Sequence, residues 1–121
     1  RRQRQMCIRD SSMARRAVEG YKNVRVDSYD GLLTEYVRRF EKPVVVKGLR
    51  AASDFDYEFQ MNMINKCLNP AVETMFLTAS ERYTFLSSSI VREVAQYGAE
   101  LKGLVPDAII PDIEEKAKQW R

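Results

Sequence analysis

The sequence predicts an α/β domain built on a parallel sheet, and three observations carry that prediction. Short β-branched runs alternate with longer segments of helical periodicity. Proline, glycine and serine fall at the junctions between them. Two cations flank a glycine at the carboxyl end of one predicted strand, where open α/β sheets bind their ligands. With 121 residues and 45% hydrophobic content, the chain is of one-domain size and large enough for a core.

The first eleven residues stand apart, with four arginines, one aspartate and no apolar periodicity. They can be encoded by a string that resembles a transposase-type sequencing-library adapter. Residues 1–11 are therefore expected to be a non-native segment, with a disordered basic arm as the alternative. Residues 13–21 read as the end of a helix, with Gly20 near its stop. Residues 23–27 alternate and predict a short strand. A helix is expected from Asp30 and Gly31, with Leu32, Leu33, Tyr36, Val37 and Phe40 at helical spacing.

Pro43 precedes Val44-Val45-Val46-Lys47, which reads as a buried strand that Gly48 breaks where a Cβ would be in the way. Ser53 is expected to cap the next helix, with Asp54 and Asp56 in its first turn, and Asn69-Pro70 to stop it. Phe55, Phe59, Met63 and Cys67 form one apolar stripe on this helix, and Met61, Ile64 and Leu68 another. Two stripes ask for two partners, the sheet and a neighbouring subunit, unless both belong to one wide core face. Residues 73–78 predict the next strand, and a helix from Ser88 should stop at Gly98. The last helix starts near Pro106 and carries Ile109, Ile110, Ile113, Ala117 and Trp120.

Charge and composition exclude several classes of function. The net charge of +3 comes wholly from residues 1–11, leaving 16 basic and 16 acidic side chains in the rest. A nucleic-acid partner is thus not expected. No apolar run approaches the length of a membrane span, so no membrane partner is expected either. Cys7 and Cys67 make no disulfide framework, which makes a reducing cytoplasm the default compartment. Histidine is absent, excluding imidazole catalysis by this chain.

Two motifs point to phosphate chemistry. The first is Lys47-Gly48-Leu49-Arg50, followed by Asp54-Phe55-Asp56-Tyr57-Glu58; the second is Ser87-Ser88-Ser89 opening a helix after Thr84-Phe85-Leu86. Free N–H groups and small hydroxyls at a helix start suit an anion. A serine triplet alone is ordinarily just a cap. In this order, from about Met13 to the carboxyl terminus, the motifs resemble phosphopantetheine adenylyltransferase, a nucleotidyltransferase of coenzyme A synthesis.

The resemblance implies a Rossmann-like sheet in the order 3-2-1-4-5, truncated at its amino end. The retained strands would be the third (residues 24–27), fourth (residues 44–47) and fifth (residues 74–78). The fourth and fifth should pair in parallel, with the third standing apart. It further implies transfer of the adenylyl group of ATP to 4′-phosphopantetheine, giving dephospho-coenzyme A and pyrophosphate. The substrate phosphate attacks directly, so catalysis consists of alignment and charge stabilisation.

In that scheme Arg50 faces the phosphates as the catalytic cation. Gly48, Leu49, Arg50, Glu58, Tyr83, Thr84, Phe85, Leu86, Ser87, Ser88 and Ser89 bind ATP. Lys47 holds the acceptor phosphate, and Leu33 contacts the pantetheine arm or is a plain core leucine. Many relatives carry arginine at the Lys47 position, and a point charge there gives up bidentate geometry. Mg2+ is expected on the ATP phosphates and a homohexamer as the assembly. The Gly-(Ser/Thr)-Phe-Asp-Pro-x-x-x-Gly-His turn of the family is not found, so this chain is expected to be inactive as it stands. The alternatives are a related enzyme such as nicotinate-nucleotide adenylyltransferase, and a non-catalytic binding or assembly module.

Overall fold

The computed structural model describes residues 2–120, and side chains from residue 8 onward apart from that of Ser53. The reading of Cys7 lies outside the described side chains. The chain divides into two compact units, residues 29–85 and a second made of residues 1–28 with 86–121.

The first unit holds the sheet. Strand β1 (Val44–Leu49) pairs in parallel with β2 (Glu73–Thr78), in register from Val44 opposite Glu73 to Leu49 opposite Thr78. The predicted pairing of these segments is therefore present. Helix α3 (Ala52–Leu68) makes the crossover that two parallel strands require. It stops at Asn69, as the Asn69-Pro70 pair predicts. Asn69 then fastens the turn, donating from Nδ2 to the Thr34 carbonyl and accepting from the Ala71 N–H. Val37 and Val72 are the buried apolar side chains here.

Three details of this unit correct the sequence reading. Gly48 does not break β1: it lies within the ladder opposite Leu77, and a Cβ placed on it would meet no atom within 4 Å. The cap of α3 is Ala51, without a side-chain hydrogen bond, and Ser53 lies inside the helix, which starts two residues earlier than expected. The helix expected from Asp30 shrinks to α2 (Leu33–Tyr36) and a 3-10 turn over Val37–Arg39, with no side-chain cap at Leu32. Instead, the Tyr29 ring lies over Gly31, and Arg39 sits 5.0 Å from the centre of that ring.

The apolar stripes of α3 also differ from expectation. Phe55, Phe59, Met63, Ile64 and Leu68 are exposed, whereas Asp54 and Glu58 are half-buried and Asn65 is buried. One stripe meets the sheet at Phe55, which stacks on Phe59 and meets the edge of Phe76, and Met61 of the other is half-buried. The polar face turns inward because the end of β1 carries cations that need carboxylate partners. On the opposite sheet face Val44, Val46, Met75 and Leu77 are all more than half exposed.

The second unit is helical. Helix α1 (Arg2–Ala17) runs through the arginine-rich segment as well as the helix end expected after Met13. Arginine, glutamine, methionine and alanine are good helix formers without any apolar periodicity. Residues 23–27 form no strand. An isolated extended segment needs a partner ladder, and the sheet contains β1 and β2 alone among the described residues. The third strand of the expected sheet is therefore absent.

Helix α4 (Ser88–Gln96) starts at Ser87, whose Oγ accepts from the Ile90 N–H, and ends before Gly98 in the left-handed region, φ 73°. Helix α5 (Ile110–Lys118) follows a 3-10 turn at Asp107–Ile109. Ala95, Leu101 and Ala117 form the core between α4 and α5, sealed by Val91, Val94, Val105, Ile110, Ile113 and Trp120.

Arg16 of α1 makes a two-pronged ion pair with Asp112 of α5. The hydrogen bonds from Arg16, and then its charge and that of Arg9, hold the Asp112 carboxyl below the usual carboxylate range against the opposing cost of burial. A carboxyl depressed in the folded state stabilises above its unfolded value of about 3.9 and ceases to do so as pH falls through the folded value. The stability difference between the wild type and Asp112→Asn in urea unfolding should therefore be full above pH about 4 and shrink as pH is lowered below that. A difference constant across that range contradicts the pairing.

Candidate functional site

Alternation along β1 decides which side chains α3 covers. Val45, Lys47 and Leu49 share the half-buried face, and Val44, Val46 and Gly48 the open one. Lys47 is thus a cation placed under a helix. Its side chain is 21% exposed, and Nζ lies 2.6 Å from Oε2 of Glu58. Burying the ammonium without that carboxylate would be costly.

Arg50 is the first residue beyond β1, and it meets the first turn of α3. Its backbone N–H and its Nε both donate to Oδ2 of Asp54, at 3.2 and 3.0 Å. The side-chain bond from Arg50 first, and its backbone bond second, hold the Asp54 carboxyl below the usual range, although burial opposes them. Asp54 and Glu58 are one helical turn apart and so present their carboxylates on one face of α3. Each takes one of the two cations at the strand end.

Between those cations lies Gly48, with open space where a side chain would be. That space opens on the uncovered face of β1, whereas Lys47 with its Glu58 carboxylate lies on the face beneath α3 and Arg50 follows at the strand end. Such a strand end can admit an oxyanion close to the main chain, beside the Arg50 cation.

The structure thus brings Lys47, Gly48, Leu49, Arg50 and Glu58 together at the β1–α3 junction. Leu33 is elsewhere in the unit, at the first position of α2, and is 39% exposed, which does not fit a plain core leucine. Tyr83 closes a 3-10 turn at Glu81–Tyr83, with the Arg82 guanidinium 5.5 Å from its ring centre. Thr84 donates from Oγ1 to the Ser80 carbonyl, and Phe85 is 83% exposed. These three end the first unit. Leu86, Ser87, Ser88 and Ser89 open the part of the second unit that carries α4. Ser87 is a helix cap, while Ser88 and Ser89 are exposed in the first turn.

Sequence reasoning quoted Asp54 as the first residue of the Asp54–Glu58 motif and as a charge suited to the helix start, but gave it no role in the site. The spacing of Arg50 and Asp54, four residues apart across a strand–helix turn, was the available signal. No group of three or more Cys, Asp or Glu suited to a metal ion occurs among the described residues. Among them, too, no helix is long and apolar enough to cross a membrane.

Comparison with known proteins agrees with the motifs. The cytidylyltransferase-like family matches residues 10–94, well over half of the chain. A phosphopantetheine adenylyltransferase of Caldanaerobacter subterraneus subsp. tengcongensis is 52% identical over 97 residues, covering 80% of this chain and 61% of that protein. One from Dictyoglomus turgidum is 45% identical, covering 88% of this chain and 66% of its own length. A third, from Clostridium tetani, is 49% identical over 84% of this chain and 64% of its own. The chain thus spans less than two thirds of the length of each of these relatives. It belongs to the cytidylyltransferase-like family, as a homologue of proteins named phosphopantetheine adenylyltransferase.

Proposed function

We propose that this chain carries the phosphate-handling part of an enzyme that transfers the adenylyl group of ATP to 4′-phosphopantetheine, giving dephospho-coenzyme A and pyrophosphate. The observation that carries the reading is the β1–α3 junction. Two cations flank an open glycine at the carboxyl end of a parallel strand, and both are oriented by carboxylates of the next helix. The identity to proteins named for this activity supports it.

In this reading the attacking group is the acceptor phosphate, and the protein supplies alignment and charge. Lys47 attracts the acceptor phosphate, exchanging Glu58 for it on binding. Arg50 faces the ATP phosphates. Gly48 and Leu49 let the nucleotide approach the backbone, and Glu58 with Tyr83, Thr84, Phe85, Leu86, Ser87, Ser88 and Ser89 completes the ATP site. Leu33 contacts the pantetheine arm. Magnesium would be held mostly by the phosphates and water, since no cluster of three or more carboxylates suited to a metal ion occurs among the described residues. A cytoplasmic homohexamer completes the proposal; the exposed apolar residues of α3 supply a surface that assembly would cover.

The deciding assay is pyrophosphate release from ATP, measured on this chain joined to the part of the Caldanaerobacter relative that it does not cover. Release that requires 4′-phosphopantetheine and falls by roughly two orders of magnitude or more in Arg50→Ala agrees with the proposal. Release supported by nicotinate mononucleotide instead would favour the sister enzyme, and no release at all the binding module.

Gly48 gives a sharper test on the chain as it is. Because the space above it is empty, Gly48→Ala should change unfolding stability by no more than about 1 kcal/mol. It should nevertheless weaken ATP binding by roughly tenfold or more, since a methyl group would stand where the nucleotide meets the backbone. Unchanged affinity for ATP would move the nucleotide away from this strand.

A further inference from the structure

The β1–α3 junction contains one charged group for which the nucleotide reading has no ligand. Among the described residues the Asp54 carboxylate accepts hydrogen bonds from Arg50, and it takes two donors of that residue on a single oxygen. The Arg50 backbone N–H and Nε belong to opposite ends of one side chain. Binding both to one Oδ2 closes a ring that fixes the guanidinium against its own main chain.

Asp54 is itself fixed, since it lies in the first turn of a 17-residue helix. The direction of Arg50 is thereby tied to the axis of α3. An arginine so held loses its rotamer freedom before any ligand arrives, and a ligand that meets it no longer has to impose that order. The pair is more exposed than most stabilising ion pairs, at 43% and 30%, so it contributes little to folding. Its geometry fits a role in orientation.

We infer that Asp54 is a positioning residue that presets Arg50 for the phosphate groups of a nucleoside triphosphate. The inference rests on the nucleotide reading of the junction. Lys47 and Glu58 show the contrasting arrangement, a single bond between Nζ and one carboxylate oxygen with no tie to the Lys47 main chain. An aspartate carboxyl is ionised at neutral pH, and the Arg50 bonds lower its pKa further, so the constraint is in place under ordinary conditions.

A double-mutant cycle on ATP binding tests this, with calorimetry on the full chain and thermal unfolding followed in parallel. Arg50→Ala and Asp54→Ala should each weaken ATP binding roughly tenfold. The double variant should bind no more weakly than Arg50→Ala alone, because Asp54 has nothing left to orient. Asp54→Asn, which keeps an acceptor oxygen but not the charge, should fall between wild type and Asp54→Ala; it replaces Asp54→Ala in the cycle if that variant does not fold. A merely structural role would weaken binding by the same factor in both backgrounds. Additive losses, or unchanged affinity on substitution of Asp54, would overturn the role of Asp54 and leave the nucleotide reading standing. A wild-type chain that does not bind ATP would refute that reading and this inference with it.

Discussion

The parallel ladder between β1 and β2 is the constraint on which the rest of the first unit depends. Six residues of each strand are held in register, so both strands end at the same level. Parallel strands cannot be joined by a tight turn, and the chain must return along a helix. That requirement sets α3 over one face of the sheet, and the strand period then decides that Lys47 points towards it. The first turn of α3 starts where β1 ends, within reach of Arg50. Cations at a strand end and carboxylates at a helix start therefore meet by construction.

The meeting has a consequence for packing. An amphipathic crossover helix ordinarily buries its apolar stripe against the sheet. Here the half-buried face of α3 includes Asp54 and Glu58, with Asn65 buried below them, and Phe55 and Phe59 remain at the margin. Ion pairs of this exposure add little to stability, so the polar face is hard to explain by folding alone. It is readily explained if Lys47 and Arg50 must be kept oriented for an anion. Local apolar burial is given up for two positioned charges, a compromise found where sites are built rather than where cores are packed.

Elements governed by local chemistry were legible in the sequence. The valine run, residues 73–78, the stop at Asn69-Pro70, the cap at Ser87 and the left-handed Gly98 all lie where residue type placed them. Elements that depend on a distant partner were not. Residues 23–27 have strand composition but no ladder to join, and pattern alone cannot distinguish those cases. Gly48 looked like a breaker because its neighbours were read one at a time, whereas pairing with Leu77 carries β1 through it. The site followed the same division. The motifs singled out Lys47, Arg50 and Glu58 as residues, but their ion pairs exist only once α3 has folded back over β1. The hold of Asp54 on Arg50 was hidden for the same reason.

The central claim is that the carboxyl end of β1, with the first turns of α3, receives the phosphates of ATP. Backbone amide resonances followed during titration of ATP into the isotope-labelled chain test it most directly. The account predicts that the largest shifts fall on Lys47, Gly48, Leu49 and Arg50, with Asp54 and Glu58 responding as their cations engage the ligand. Saturable ATP binding that leaves these six resonances unmoved would contradict it.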